Sequence, residues 1–237
     1  MFLSIIIPLY NEENSIALLI DKLLHLNLPG YVSSSEIIIV DDFSTDHSFQ
    51  KARAFSELYP QVKLIKHQHN SGKGAAIKTA VGYASGDVFL IQDADFELSP
   101  DDIPSMLEAM HKLQVEFVNG SRYMPGVIRP LSSYKRYVVN RLFTFLTSVM
   151  INVKITDMAC GYKLFKKCLF DKIILKENRF GFEAELIIKA LRVKKNNITE
   201  IPVQYFPRNE GEGKKFRNID GFKILWTILK YGLFRFN

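Results

Sequence analysis

Along the first half of the chain, short β-branched runs alternate with stretches of helical apolar spacing. Leu3 to Pro8 is a continuous apolar run, Ser15 to Leu26 has helical spacing, and Glu36 to Val40 is a second β-branched run ending in Asp41-Asp42. Together they form a βαβ unit. The series continues with a helix near Thr45 to Tyr59, a strand from Val62 to His67 and a glycine-rich turn at Ser71-Gly72-Lys73-Gly74. A helix from Ala75 to Ala84 and a strand from Asp87 to Ile91 complete it. This alternation predicts an α/β fold with a mostly parallel, Rossmann-like sheet flanked by helices. Beyond about residue 125 the pattern loosens into Pro125 to Pro130, a helix from Ser133 to Asn152, a helix from Phe182 to Lys194 and a strand from Thr199 to Phe206. This half is expected to extend the same sheet.

With 237 residues, no linker and no repeat, the chain reads as one domain. It divides into a ligand-binding half (1–124), a second half (125–220) and a C-terminal amphipathic segment (221–237). A hydrophobic content of 47% with 24% charged residues excludes disordered and collagen-like classes. The net charge of +6 favours a polyanionic partner without choosing among nucleic acid, anionic membrane and phosphorylated substrate. No helix-turn-helix, zinc-finger or RNP pattern is present, and strand-end carboxylates would repel a nucleic-acid backbone, so nucleic acid is not expected. Cys160 and Cys168 suggest neither a disulfide framework nor a zinc set, which points to a reducing cytosol. The apolar N-terminus passes into acidic residues without a small-residue cleavage site, so it reads as a buried strand rather than a signal segment. The longest apolar stretch, Leu142 to Ile151, is too short to span a bilayer.

Open parallel sheets bind ligands at the carboxyl ends of their strands, and those positions here are polar. Pro8-Leu9-Tyr10-Asn11-Glu12 follows the first strand, Asp41-Asp42 the second, His69-Asn70 the third and Asp93-Ala94-Asp95 the fourth. An extended backbone through Asp93, Asp95 and Glu97 would send three hard carboxylates to one side, a ligand set for Mg²⁺ or Mn²⁺. Asp42 suits a hydrogen bond to a ribose or base, although it and Asp41 could instead cap the following helix. Lys73, in a turn that offers backbone amides at a helix N-terminus, reads equally as a donor contact and as a solvent-facing lysine. Arg122, Lys135, Arg136, Arg141, Arg208 and Lys214 would make sense as a set if the acceptor is itself a phosphate. Glu183 and Glu185 open a helix, where a structural role and a functional one are both open. In the tail, Phe222, Leu225, Trp226, Leu229 and Leu233 share one helical face, which suits either a membrane interface or packing on the sheet.

Taken in order, Ile7-Pro8-Leu9-Tyr10-Asn11-Glu12, Val40-Asp41-Asp42-Phe43-Ser44, Asn70-Ser71-Gly72-Lys73-Gly74, Asp93-Ala94-Asp95 and Gly120-Ser121-Arg122-Tyr123 resemble family 2 glycosyltransferases. Thr156-Asp157, Cys160 to Phe165, Phe182 to Leu186, and Arg208 with Gly211-Glu212-Gly213-Lys214 look like its dolichyl- or polyprenyl-phosphate sugar synthase branch. The resemblance implies a GT-A fold and an inverting transfer from a GDP- or UDP-linked sugar to a polyprenyl phosphate. It places donor contacts at Pro8, Tyr10, Glu12, Val40, Asp42, Asp93 and Ala94, and metal at Asp93, Asp95 and Glu97. The branch commonly has glutamine at the last position. By the same resemblance Arg122, Arg136 and Asn140 hold the acceptor phosphate, while Arg208 and Lys214 close a loop over the donor diphosphate. Gly213 stands where serine is frequent.

An acceptor phosphate is already anionic at neutral pH and can attack the anomeric carbon without a general base. Asp95 is then essential through metal rather than as a proton acceptor. A carbohydrate hydroxyl as acceptor would instead need a base such as Asp157, Glu183 or Glu185. A non-catalytic nucleotide-sugar-binding protein is the third reading. The expected location is the cytosolic membrane face, as a peripheral protein, with a membrane-anchored subunit as a further expected partner.

Overall fold

The computed structural model describes residues 1–125, 133–193, 197–208 and 218–234, the side chains of Asn218 and Ile219 excepted. The first half follows the predicted alternation: β1 (Phe2–Leu9), α1 (Ile16–Leu24), β2 (Ser34–Asp41), α2 (Ser48–Leu58), β3 (Val62–Lys66), α3 (Lys73–Tyr83) and β4 (Val88–Ile91). Next come α4 (Ile103–Leu113), β5 (Phe117–Ser121), α5 (Tyr134–Ile151), β6 (Lys163–Lys166) and the short α6 (Lys167–Phe170). The chain closes with α7 (Gly181–Val193), β7 (Ile198–Pro202) and α8 (Asn218–Gly232).

The strands form one seven-stranded sheet in the order β3-β2-β1-β4-β6-β5-β7. Every pairing is parallel except those of β6, which runs antiparallel to β4 and to β5. The second half therefore extends the first sheet, as expected. It does so through strands the apolar pattern hides. β6 reads Lys-Leu-Phe-Lys and β5 carries Asn119, so neither shows a clean β-branched run.

Alternation along the central strands divides the core between the two faces. Ile5 and Ile7 of β1 face α1, α2 and α4, whereas Ile6 faces α3, α5, α7 and α8. In α1 the buried residues Ile16, Leu19, Ile20 and Leu23 keep helical spacing, and α4 repeats it at Ile103, Met106, Leu107 and Met110. α7 is buried nearly all round, a mark of a helix with neighbours on every side. α5 and α8 pack on it and on each other.

In α8 one face packs on the core and another meets solvent. The core face is Ile224, Thr227, Ile228 and Tyr231, while Phe222, Trp226 and Leu233 point outward and Leu225 and Leu229 are half-buried. Three residues of the apolar stripe seen in the sequence thus face outward, and the other two lie half-buried at its edge, Leu225 against the core. The strand expected over Thr199 to Phe206 ends at Pro202, and beyond it only Tyr205 makes a β-bridge, to Leu98.

Candidate active site

The ends of β1, β2 and β4 meet where the register sets Pro8 beside Val40 and Leu9 beside Asp41. Past these ends the loops are tied to one another by side chains. Asn11, at φ 49°, donates its backbone N–H to Ser44 Oγ at 3.0 Å and accepts from the Thr45 N–H at 2.8 Å. Ser15 Oγ donates to the Ala94 carbonyl at 2.7 Å, which joins the first strand end to the acidic segment. Val40 and Ala94 are buried, whereas Pro8 and Tyr10 are half-buried at the rim.

Asp42 faces the loop after β3. It accepts from the Ser71 N–H at 2.8 Å, from the Gly72 N–H at 2.7 Å, and from His67 Nδ1 at 2.8 Å. Its observed work is to fasten the turn that begins α3. The first N–H of α2, that of Ser48, is accepted instead by Asp46 at 3.0 Å, just before the His47 N-cap. Gly72 has φ +98°, and a Cβ there would lie 2.5 Å from the Asn178 carbonyl oxygen, so both conformation and space demand glycine.

That turn aims Lys73 inward. Its ammonium lies 2.5 Å from Asp93 and 2.6 Å from Glu183. Burial alone would lower its pKa, but the charges of the two carboxylates outweigh this and raise it above the ordinary lysine value. Lys73 is therefore not the solvent-facing lysine that the bare turn allowed.

The three acidic positions after β4 do not form the predicted common ligand set. Among the described residues, no group of three acidic, histidine or cysteine side chains is arranged to hold one metal ion. The strand ends at Ile91 and the backbone turns, with Phe96 at φ 60°, so the alternation that would align residues 93, 95 and 97 is lost. Asp93 turns toward Lys73, Asp95 toward Arg208 at 3.3 Å, and Glu97 away toward the segment after β7. Glu97 accepts from Tyr205 Oη at 3.1 Å and from the Arg208 N–H at 3.1 Å, so it acts as a latch for that segment. Arg208 also grips Glu12 bidentately at 2.8 and 2.9 Å. Lys214 lies outside the described residues.

Asp93 and Asp95 nevertheless fit a divalent cation. Burial, then the charges of Asp93 and Glu97, raise the Asp95 pKa to about 7 against the lowering effect of Arg208. Such crowding of negative charge is relieved by a cation, and two carboxylates leave room for a diphosphate among the ligands. Space has been made for them: a Cβ on Gly161 would lie 3.0 Å from Asp93 Cγ and closer still to its Oδ2.

On the other flank, Arg122 pairs bidentately with Asp157 at 2.7 and 2.9 Å, and its backbone N–H donates to the same carboxylate at 3.1 Å. Burial opposes the Arg122 charge, but Asp157 raises its pKa well above the usual value. The guanidinium also lies 5.2 Å from the centre of the Tyr205 ring, a cation–π distance. Asn140 donates to Tyr123 Oη at 3.3 Å, and half-buried Arg136 lies one turn earlier on α5. The three carboxylates that a hydroxyl acceptor would call on are all engaged, Glu183 by Lys73 at 2.6 Å. Asp157 is fully buried against Arg122, and fully buried Glu185 accepts backbone N–H groups of Lys176 and Glu177 and pairs with Lys189 at 2.9 Å.

Several supports carry little sequence signal. Buried Lys163 donates to the carbonyls of Cys160 at 2.7 Å and Met158 at 3.2 Å, fixing the loop that holds Asp157 and Gly161. Tyr162 Oη donates to Gln92 Oε1 at 2.6 Å directly behind the acidic segment. Glu200 accepts from the Thr156 N–H at 2.7 Å. Lysine inside a short strand is recognisable as a site support only once the loop it serves is known.

A mostly parallel sheet with an acid pair beyond a central strand, opposed by Lys73 and Arg208, is the arrangement expected of a GT-A fold. The sequence profile of Glycosyl transferase family 2 matches residues 4–174, and the chain belongs to that family. It is 30% identical to the dolichyl-phosphate beta-glucosyltransferase of Saccharomyces cerevisiae, over 94% of this chain and 72% of that protein. It is also 30% identical to the dolichol-phosphate mannosyltransferase of Pyrococcus furiosus, over 90% of this chain and 59% of that protein. Among solved structures, glucosyl-3-phosphoglycerate synthase of Mycobacterium tuberculosis in complex with Mg²⁺ and uridine diphosphate superposes with a TM-score of 0.73 at 18% identity. That match covers 98% of this chain and 79% of the other, and shows a shared fold.

Proposed function

We propose that this glycosyltransferase carries out a metal-dependent, inverting transfer of a hexosyl group from a nucleoside diphosphate sugar to a polyprenyl phosphate. The observation that carries the reading is the pairing of charges across the site. Carboxylates Asp93 and Asp95 stand beyond β4 with Lys73 and Arg208 beside them, and the buried candidate bases are already engaged. A site so built favours an acceptor that arrives as an anion. The relatives named for dolichyl phosphate and dolichol phosphate support the same acceptor class.

In this reading Pro8, Tyr10, Val40, Asp42 and Ala94 frame the nucleoside, and Asp93 and Asp95 hold Mg²⁺ or Mn²⁺. The cation, when bound, neutralises charge on the leaving diphosphate. Arg208 exchanges its pairing with Glu12 and Asp95 for the diphosphate, and Lys214 joins it. Arg122, Arg136 and Asn140 orient the acceptor phosphate. An oxygen of that phosphate forms the new bond to the anomeric carbon as the bond to the diphosphate oxygen breaks, and in-line displacement inverts the centre. The electron pair leaves with the nucleoside diphosphate and no proton has to move. Electrostatic preorganisation, rather than acid–base chemistry, then supplies most of the rate.

We place the enzyme as a peripheral protein at the cytosolic membrane face, a reading supported by the relatives named for dolichyl phosphate and dolichol phosphate; no described helix is long and apolar enough to cross a membrane. Asp95→Asn is the direct test of the reading. It should abolish labelled-lipid formation while leaving the far-UV circular dichroism and Tm near the parent's. Normal turnover by that variant would refute the metal-held mechanism.

A further inference from the structure

We infer that the outer faces of α5 and α8 together form a docking surface for an anionic lipid bilayer. On α5 the outward residues Tyr134, Val138, Leu142, Phe145 and Val149 fall at intervals of three or four and are 47% to 71% exposed. They form one continuous apolar stripe on solvent. On α8, Phe222 and Trp226 are 75% and 58% exposed, and Leu233 continues that side just past the helix. α5 and α8 lie side by side over buried α7, and Gly232 backs onto Met150 so closely that a Cβ there would lie 2.5 Å from its sulfur. Nine of the seventeen large apolar side chains exposed among the described residues belong to these two helices and the two residues after α8. Scattered apolar residues need no explanation, but this concentration does.

Charge selects the occupant. α5 contains no aspartate or glutamate, and the acidic residue of α8, Asp220, is buried. Lys135 and Arg141 on α5 and Lys223 on α8 are exposed beside the apolar stripes. An apolar strip with a cationic margin and no exposed carboxylate complements anionic headgroups. The same margin would repel a second copy of this chain, because like charges would face each other. Tyr134 and Trp226 have the amphipathic rings that settle at the headgroup level. The bearing of this surface on catalysis rests on the reading of the acceptor as a lipid phosphate, since α5 also carries Arg136 and Asn140.

The protein contains one tryptophan, so Trp226 reports on this face directly. The full chain is mixed with vesicles of phosphatidylcholine, with or without phosphatidylglycerol, and its emission and co-flotation are followed. Trp226 emission should move to shorter wavelength with the anionic vesicles, far less with the neutral ones, and the shift should shrink as salt rises. Phe145→Glu/Val149→Glu removes two apolar contacts and adds two negative charges on this face, so it should weaken vesicle affinity by roughly a hundredfold. Lys223→Glu should weaken it selectively for anionic vesicles. Both this variant and Phe145→Glu/Val149→Glu should transfer sugar to a short-chain polyprenyl phosphate in detergent at the parental rate. No emission change and no flotation with anionic vesicles would overturn the inference. So would a stable dimer in light scattering that Phe145→Glu/Val149→Glu dissociates. If vesicle binding holds while no lipid phosphate is ever glycosylated, the acceptor reading fails and the docking surface stands.

Discussion

Replacing Gly161 with alanine adds one methyl group where the structure leaves room only for the Asp93 carboxylate. The new Cβ would lie 3.0 Å from Asp93 Cγ, with Oδ2 nearer still. Ordinary C···O contacts begin near about 3.3 Å, so the carboxylate has to retreat by roughly 1 Å. That movement pulls Asp93 off the Lys73 ammonium, now 2.5 Å away, and shifts one of the two carboxylates proposed to hold the metal. Gly161 is not at a positive φ, so the backbone accepts alanine without strain. The stability cost is then that of modest overpacking, about 1–3 kcal/mol. The catalytic cost is larger, because a misplacement of about 1 Å at a reacting centre is worth on the order of 10²-fold in rate. Initial rates of labelled-lipid formation with Mn²⁺, measured beside a thermal melt, separate the two. A Gly161→Ala enzyme working within about threefold of the parent would show that the position of Asp93 does not govern the reaction.

The raised Asp95 pKa gives metal binding a pH dependence of definite sign. A carboxyl whose folded pKa, about 7, exceeds its unfolded value near 3.9 favours the folded state at low pH. That contribution fades as pH rises through 7, so added Mn²⁺ should raise Tm clearly at pH 8 and little at pH 5.5, as a melt series checks. Glu97→Gln removes one of the like charges that raise Asp95, so the midpoint of Mn²⁺ binding should move to lower pH; an unchanged midpoint in calorimetric titrations would remove Glu97 from this network. Asp157→Ala strips the buried partner from Arg122 and should cost about 3–5 kcal/mol, a fall in Tm on the order of 10 °C. A variant that kept its Tm and lost only transfer to an alcohol acceptor would restore Asp157 as a base.

The first half of the fold was legible because each of its elements has its own period, β-branched in the strands and three-to-four in the helices. α4 carries the same helical spacing at Ile103, Met106, Leu107 and Met110, but no β-branched run follows it to mark a strand. β6 was not readable. Its central Leu-Phe pair is flanked by lysines, and Lys163 is buried because Asn119 Oδ1 on β5, 44 residues away, and the carbonyls of Met158 and Cys160 in the preceding turn accept its hydrogen bonds. Pairing of that kind is a tertiary fact with no period. At the site, strand-end position alone pointed to Glu12, Asp42, Asp93 and Asp95. The failure at Glu97 came from extending strand geometry past Ile91 into a turn, where side-chain alternation no longer applies. In α8 the apolar stripe was seen, and what spacing could not say is that α7 meets the other side of the helix.

The central claim is metal-dependent transfer to a lipid phosphate. It is tested most directly by incubating the enzyme with undecaprenyl or dolichyl phosphate and a panel of radiolabelled UDP- and GDP-sugars, with Mn²⁺, Mg²⁺ or EDTA. The account predicts labelled lipid from at least one donor, formed with either metal and abolished by EDTA. Labelled lipid that persists undiminished in EDTA, or donor binding with no lipid product from any sugar, would contradict it.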